Sequence, residues 1–141
     1  MTVVDELRVR QMLDRLGEEI DALRRLSRRD GEELLHDDDL LAAVKYRFIV
    51  AIEVCIDIGR HVVASEGLRA PLDYADVFSV LAEAALLDSG AAADLRDTAR
   101  FRNLLVHGYA RVDDTRVVEI LRDRVDDLAA FRVALARAAS G

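Results

Sequence analysis

The sequence predicts an all-α chain folded as an up-and-down bundle of four or five helices, and three observations carry that prediction. Apolar residues recur at alternating three- and four-residue spacing through several long stretches, the one-face periodicity of amphipathic helices. No run of alternating apolar and polar residues marks a strand. With 52% hydrophobic and 33% charged residues and only 1 Pro and 7 Gly in 141 residues, the composition favours helix almost everywhere. That length suits a single domain, residues 1–141, able to bury a core without disulfide or structural metal.

The first helix is expected from about Val4 to Arg29, with Val9, Leu13, Leu16, Ile20 and Leu23 as its inner stripe. SRRDGEELLHDDD then breaks the pattern and reads as a connector with at most a turn of helix, its aspartates serving as N-caps. A second helix, roughly Asp39 to Ser65, carries the stripe Leu41, Val44, Phe48, Ala51, Cys55, Ile58 and Val62. Beside it runs another, Ile49, Ile52, Ile56 and Val63. Two adjacent apolar stripes require burial on more than one side, hence a central position, a subunit interface, or both. Glu53, Asp57 and His61 share the remaining face at successive turns, a polar stripe before it is a metal site.

Gly67 and Pro71 frame a turn, and Asp73 can cap a third helix with Tyr74, Val77 or Phe78, Leu81 and Ala85 facing inward, ended by Gly90. A fourth helix begins near Ala91. Asp113, Asp114 and Thr115 cap a fifth, in which Leu121, Val125, Leu128, Phe131 and Leu135 face the core and the final ARAASG frays.

The single cysteine, Cys55, rules out an internal disulfide and reads as a small core residue. MTVVDELRVRQ lacks the apolar segment of a signal peptide, and the longest apolar run, FIVAIEVCIDIG, is interrupted by Glu53 and Asp57, which predicts a cytoplasmic protein with no membrane span. A net charge of −7 argues against the broad basic footprint of a nonspecific nucleic-acid binder, so any RNA contact must be local or created by assembly.

Against this background RNLLVHGY, residues 102–109, stands out. Leu95, Ala99, Arg102 and Val106 share one face of the fourth helix, so Arg102 interrupts an inward stripe. A guanidinium there needs an anionic partner, such as Glu53 or Asp57, or a cleft awaiting one. Arg96, Arg100, Asn103 and His107 form the neighbouring polar stripe, in which the Asn103 amide is placed to orient the His107 imidazole. On an unbroken helix Arg102 and His107 point about 140° apart. Gly108 in a left-handed conformation, or a dimer, would bring them together. A histidine titrating near neutrality and an arginine fork suit attack of an RNA ribose 2′-hydroxyl on its neighbouring phosphate, a reaction these groups can run without metal or cofactor.

The motif RNLLVH followed by GY resembles the R-x4-H signature of the HEPN superfamily, with the H-x-Y extension of its HepT toxins, also known as the DUF86 family. The doubly striped helix containing IEVCIDIGRHV, the short DYADVFSVL helix and the capped last helix follow that layout over nearly the whole chain. The resemblance implies a metal-independent endoribonuclease acting as a symmetric dimer, the toxin of a toxin–antitoxin pair. Its antitoxin would be an MNT-type nucleotidyltransferase that moves AMP onto the tyrosine. Arg102 and His107 would then be catalytic, Asn103 and Arg100 supporting, and Tyr109 the modified residue, with tRNA or mRNA as substrate. Arg100 and His107 also satisfy the looser spacing of the motif, and Arg29 with His36 matches it by chance. Arg102 is favoured because Asn103 follows it and because it breaks an apolar stripe.

Two other functions compete. A noncatalytic helical module for dimerisation or partner binding accounts for the apolar patterning and the net charge. A metal-dependent hydrolase would use Glu53, Asp57 and His61.

Overall fold

The computed structural model describes residues 3–140, so Met1, Thr2 and Gly141 of the predicted terminal stretches lie outside it. It contains α1 (Val3–Ser27), α2 (Gly31–His36), α3 (Asp38–Ser65), α4 (Asp76–Glu83), α5 (Ser89–His107) and α6 (Asp114–Ser140), with a 3-10 turn at Tyr109–Arg111. Among the described residues there is no strand.

Aspartate carboxylates begin most of these helices by accepting from otherwise unpaired first-turn amides. Asp30 caps α2 and Asp37 caps α3, so the acidic connector holds a short helix of its own. Asp113 accepts from the Thr115 amide at 2.9 Å, as the sequence predicts, whereas Asp73 accepts from the Asp76 amide at 2.8 Å from the turn before α4, whose own N-cap position, Ala75, carries no side-chain cap.

The doubly apolar α3 is the central element and packs against every other α-helix. Both its stripes are buried, with Ile49 at the margin. Cys55 lies wholly inside, where burial pushes its thiol well above the ordinary range and leaves it a packing residue. Asp5 of α1 meets His61 near the end of α3 at 3.2 Å, and Glu19 meets Arg47 near its start at 3.1 Å, so α1 and α3 run antiparallel. Opposite them, α6 also runs antiparallel to α1: Arg132 Nε donates to the Leu13 carbonyl at 2.9 Å and Arg24 reaches Asp126 at 3.3 Å. The predicted inner stripes of α1 and α6 are buried throughout.

The short helices depart from the sequence reading. Tyr74, expected to face inward, is 49% exposed because it precedes α4 on a surface turn. Ala85, also expected inside, is exposed and beyond the helix. Its φ of 60° forms a left-handed C-terminal reversal, with the Leu86 amide donating to the Leu81 carbonyl at 3.0 Å. Gly90 does not end that segment but lies in the first turn of α5, where its amide donates to the Asp88 cap. At the other end α6 remains helical through Ser140 with Ala139 packed in the core, so the ARAASG stretch is held rather than frayed as far as it is described.

Two contacts fix α4 and the turn before it. Gly59 permits close approach, since a Cβ there would lie well inside van der Waals contact with Val77 Cγ1. Arg69 donates from Nη1 to Asp76 at 2.7 Å and from Nε to Glu83 at 2.8 Å, clasping α4 from outside. Asp76 also accepts the Leu72 amide at 2.9 Å. The Arg69 guanidinium and that amide hold the Asp76 carboxyl well below the usual range, at about 2.

Candidate active site

Residues Leu95, Thr98 and Ala99 seat α5 on the core, which carries Arg102 onto the same inner face one turn later. Its side chain is only 13% exposed. Of the two carboxylates considered from sequence, Glu53 is the partner: Arg102 Nη2 donates to its Oε1 in a close ion pair. Nη1 donates to the Asn103 Oδ1 at 3.0 Å. Buried Nε has no hydrogen-bond partner, leaving a donor available at an otherwise fixed guanidinium.

The polar stripe of α5 does not act as one cluster. Arg96 turns to the Ser79 hydroxyl of α4 at 3.0 Å, and exposed Arg100 pairs with Asp97 at 2.9 Å. Asn103 serves Arg102, its Oδ1 accepting from the adjacent guanidinium, and makes no bond to the imidazole it was expected to orient. His107, the last residue of α5, is exposed, and its side chain makes no hydrogen bond among the described residues.

Gly108 stops the helix without entering the left-handed region predicted for it: its φ is −120° and its amide donates to the Leu104 carbonyl at 2.8 Å. Glycine suits the position for another reason, since a Cβ would meet Leu104 Cδ1 at 2.7 Å and the Leu104 carbonyl at 3.3 Å. Because α5 is unbroken through His107, Arg102 and His107 remain about 140° apart around it. Tyr109 follows on the 3-10 turn, 78% exposed.

Around Arg102 the structure adds two residues that sequence reasoning missed. Tyr74 lies with its ring centroid 5.8 Å from the Arg102 guanidinium carbon and 6.0 Å from that of Arg60. Arg60 follows Glu53 by seven residues on the same face of α3, a spacing that would have marked it. With Glu53, Ile56 and Asp57 they enclose a pocket of about 140 Å³. The polar stripe of α3 divides here: Glu53 turns to Arg102 and His61 to Asp5, while Asp57 makes no bond among the described residues. A larger groove of about 580 Å³ between α1 and α6 contains none of the motif residues, so charge and chemistry, not size, locate the site.

An all-helical bundle with the R-x4-H spacing on its fifth helix defines a protein of the HEPN type. The Ribonuclease HepT-like family model matches residues 16–135, and the chain belongs to that family. It is 28% identical over 102 residues to the mRNA nuclease HepT of Shewanella oneidensis, covering 72% of this chain and 77% of that protein. A relative from Archaeoglobus fulgidus is 32% identical over 83 residues, covering 59% of this chain and 62% of its own length.

Among solved structures, the tri-AMPylated Shewanella oneidensis HEPN toxin in complex with MNT antitoxin superposes with a TM-score of 0.86 at 22% identity, over 97% of this chain and 99% of that one. YutE, a cytosolic protein of unknown function from Bacillus subtilis, gives 0.83 at 18% identity, over 98% and 92%. These likenesses show the fold. Among the described residues no helix is long and apolar enough to cross a membrane.

Proposed function

We propose that this chain is a metal-independent endoribonuclease toxin, built as a symmetric dimer and restrained by an MNT-type nucleotidyltransferase antitoxin. The observation that carries the reading is the contrast between a locked Arg102 and a free His107 on one helix in a ribonuclease family. Glu53 and Asn103 set the direction of the guanidinium, and its remaining N–H groups, Nε among them, suit the oxygens of a crowded phosphorane. An exposed imidazole with no fixed partner is free to approach a ribose hydroxyl and act as its general base.

In this mechanism His107 removes the proton of the ribose 2′-hydroxyl as its oxygen attacks phosphorus. The P–O5′ bond breaks as O5′ takes a proton from the imidazolium of the second protomer's histidine, and a 2′,3′-cyclic phosphate remains. Since α5 keeps Arg102 and His107 apart within one protomer, a two-fold interface is the means of placing base, acid and cation around one phosphate. No step calls for a metal or cofactor. Exposed Tyr109, two residues from His107, is the acceptor for AMP: its phenolic oxygen attacks the α-phosphate of ATP and pyrophosphate leaves. The added charge and bulk then occupy the space an RNA phosphate needs.

Inducible expression of the chain with and without His107→Ala and Tyr109→Phe tests this reading. Growth arrest with RNA cleavage by the parent and Tyr109→Phe, but not by His107→Ala, supports it. Incubation with a cognate transferase and ATP should add adenylyl mass to the parent and none to Tyr109→Phe. The net charge of −7 favours a second reading, a noncatalytic module that binds a basic partner. Intact RNA and unimpaired growth in all three strains would favour that module.

A further inference from the structure

The geometry points to a nucleobase subsite in the pocket between α3 and Tyr74, holding the base next to the cleaved phosphate, with Tyr74 and Arg60 as its stacking surface and Asp57 as the residue that selects guanine. The inference rests on the ribonuclease reading for what the neighbouring Arg102 does. The pocket itself stands on separate observations.

Its floor is apolar, formed by Ile56 at 4% exposure, and its volume of about 140 Å³ suits one flat ring system better than a length of chain. A half-exposed tyrosine ring stands over it, and Arg60 faces that ring without an ion pair to any carboxylate among the described residues. RNA is read by splaying single bases onto aromatic and guanidinium planes and bonding their Watson–Crick edges. The Arg69 clasp on α4 holds the Tyr74 turn in place beforehand, which reduces the ordering cost of binding.

The carboxylates divide the remaining work. Glu53 is taken by Arg102, whereas Asp57 opens to the same pocket with both oxygens unengaged. Guanine offers two adjacent donors, N1–H and the exocyclic N2 amino group, which match the two oxygens of a carboxylate. Adenine and cytosine offer one amino group and uracil one ring N–H. Asp57 therefore favours guanine, and inosine, which lacks the N2 amino group, is the direct probe.

The test uses the full chain carrying His107→Ala, so that bound RNA stays intact, and fluorescein-labelled single-stranded RNA hexamers containing one guanine or one inosine, with affinity read by anisotropy. Tyr74→Ala should weaken binding of both hexamers about tenfold while Tyr74→Phe preserves it. Asp57→Asn should abolish a guanine-over-inosine preference of about tenfold. Circular dichroism confirms folding, and Asp57→Asn, at an exposed position, keeps the test open if Tyr74→Ala misfolds. Unchanged affinity in Tyr74→Ala, or a preference indifferent to Asp57→Asn, overturns the subsite. So does a Tyr74→Ala variant that loses only affinity for the transferase, which would make this face a protein-docking surface. Binding that depends on Tyr74 and Asp57, in a protein whose parent form cleaves nothing, would retain the subsite and reject the catalytic reading.

Discussion

Arg102 on α5 donates through Nη2 to the Glu53 carboxylate on α3, tying the motif helix to the central helix of the bundle. The cation is mostly buried while its partner is 46% exposed, so the pair sits at the edge of the core with the anion toward solvent. Placed there, Glu53 both offsets the burial of the guanidinium and fixes its direction.

Because Glu53 fixes the direction of the guanidinium, Glu53→Ala, which removes the acceptor, should lower RNA cleavage about a hundredfold with the fold unchanged, since small misplacements of a reacting group carry costs of that order. Single-turnover cleavage rates, with circular dichroism alongside, check this. A faster variant would mean that Glu53 restrains Arg102 by neutralising it.

The Arg69–Asp76 clasp gives a prediction about pH. The folded-state Asp76 carboxyl, at about 2, lies below the ordinary value near 4, so its stabilising contribution is fully present above about pH 4 and is lost as pH falls toward 2. Between pH 5 and pH 2 the melting temperature of the parent should therefore fall further than that of Asp76→Asn. Equal falls in calorimetric melts would show that the clasp contributes nothing.

The contact between Gly59 and Val77 predicts that Gly59→Ala destabilises the chain by about 1–3 kcal/mol, because the added methyl forces α4 away from α3. Urea denaturation measures it, and the Tyr74 turn should loosen with α4.

The Ala85 reversal makes the opposite prediction. Alanine at φ 60° is strained, so Ala85→Gly should cost no stability and gain up to about 1 kcal/mol, in the same denaturation assay.

The long helices were legible because the 3.6-residue period is written into each one separately: every predicted inner position of α1 and α6 is buried, and the two stripes of α3 place it at the centre. Arg102 was legible for the same reason, as a charge breaking an apolar stripe. The short elements were not, since their ends depend on partners remote in sequence. The Arg69 clasp and the close seat on Gly59 decide where α4 lies, which leaves Tyr74 at the surface, and the reversal at Ala85 ends the helix before the position read as inward. Glu19 shows the same limit: a carboxylate on α1 is buried because Arg15 and Arg47 reach it, and Arg47 comes from another helix. Likewise, Arg60 and Tyr74 meet only when the turn after α3 folds back. The expectation that Gly108 would swing His107 toward Arg102 failed on backbone geometry, which is why the proposed chemistry draws on a second protomer.

The proposed cleavage of RNA by His107 and Arg102 is tested most directly by incubating purified parent, His107→Ala and Arg102→Ala proteins with RNA in excess chelator and identifying the fragment ends by mass spectrometry. Cleavage by the parent alone, leaving 2′,3′-cyclic phosphate ends, is the expected result. Intact RNA with the parent, or equal cleavage by His107→Ala, would contradict it.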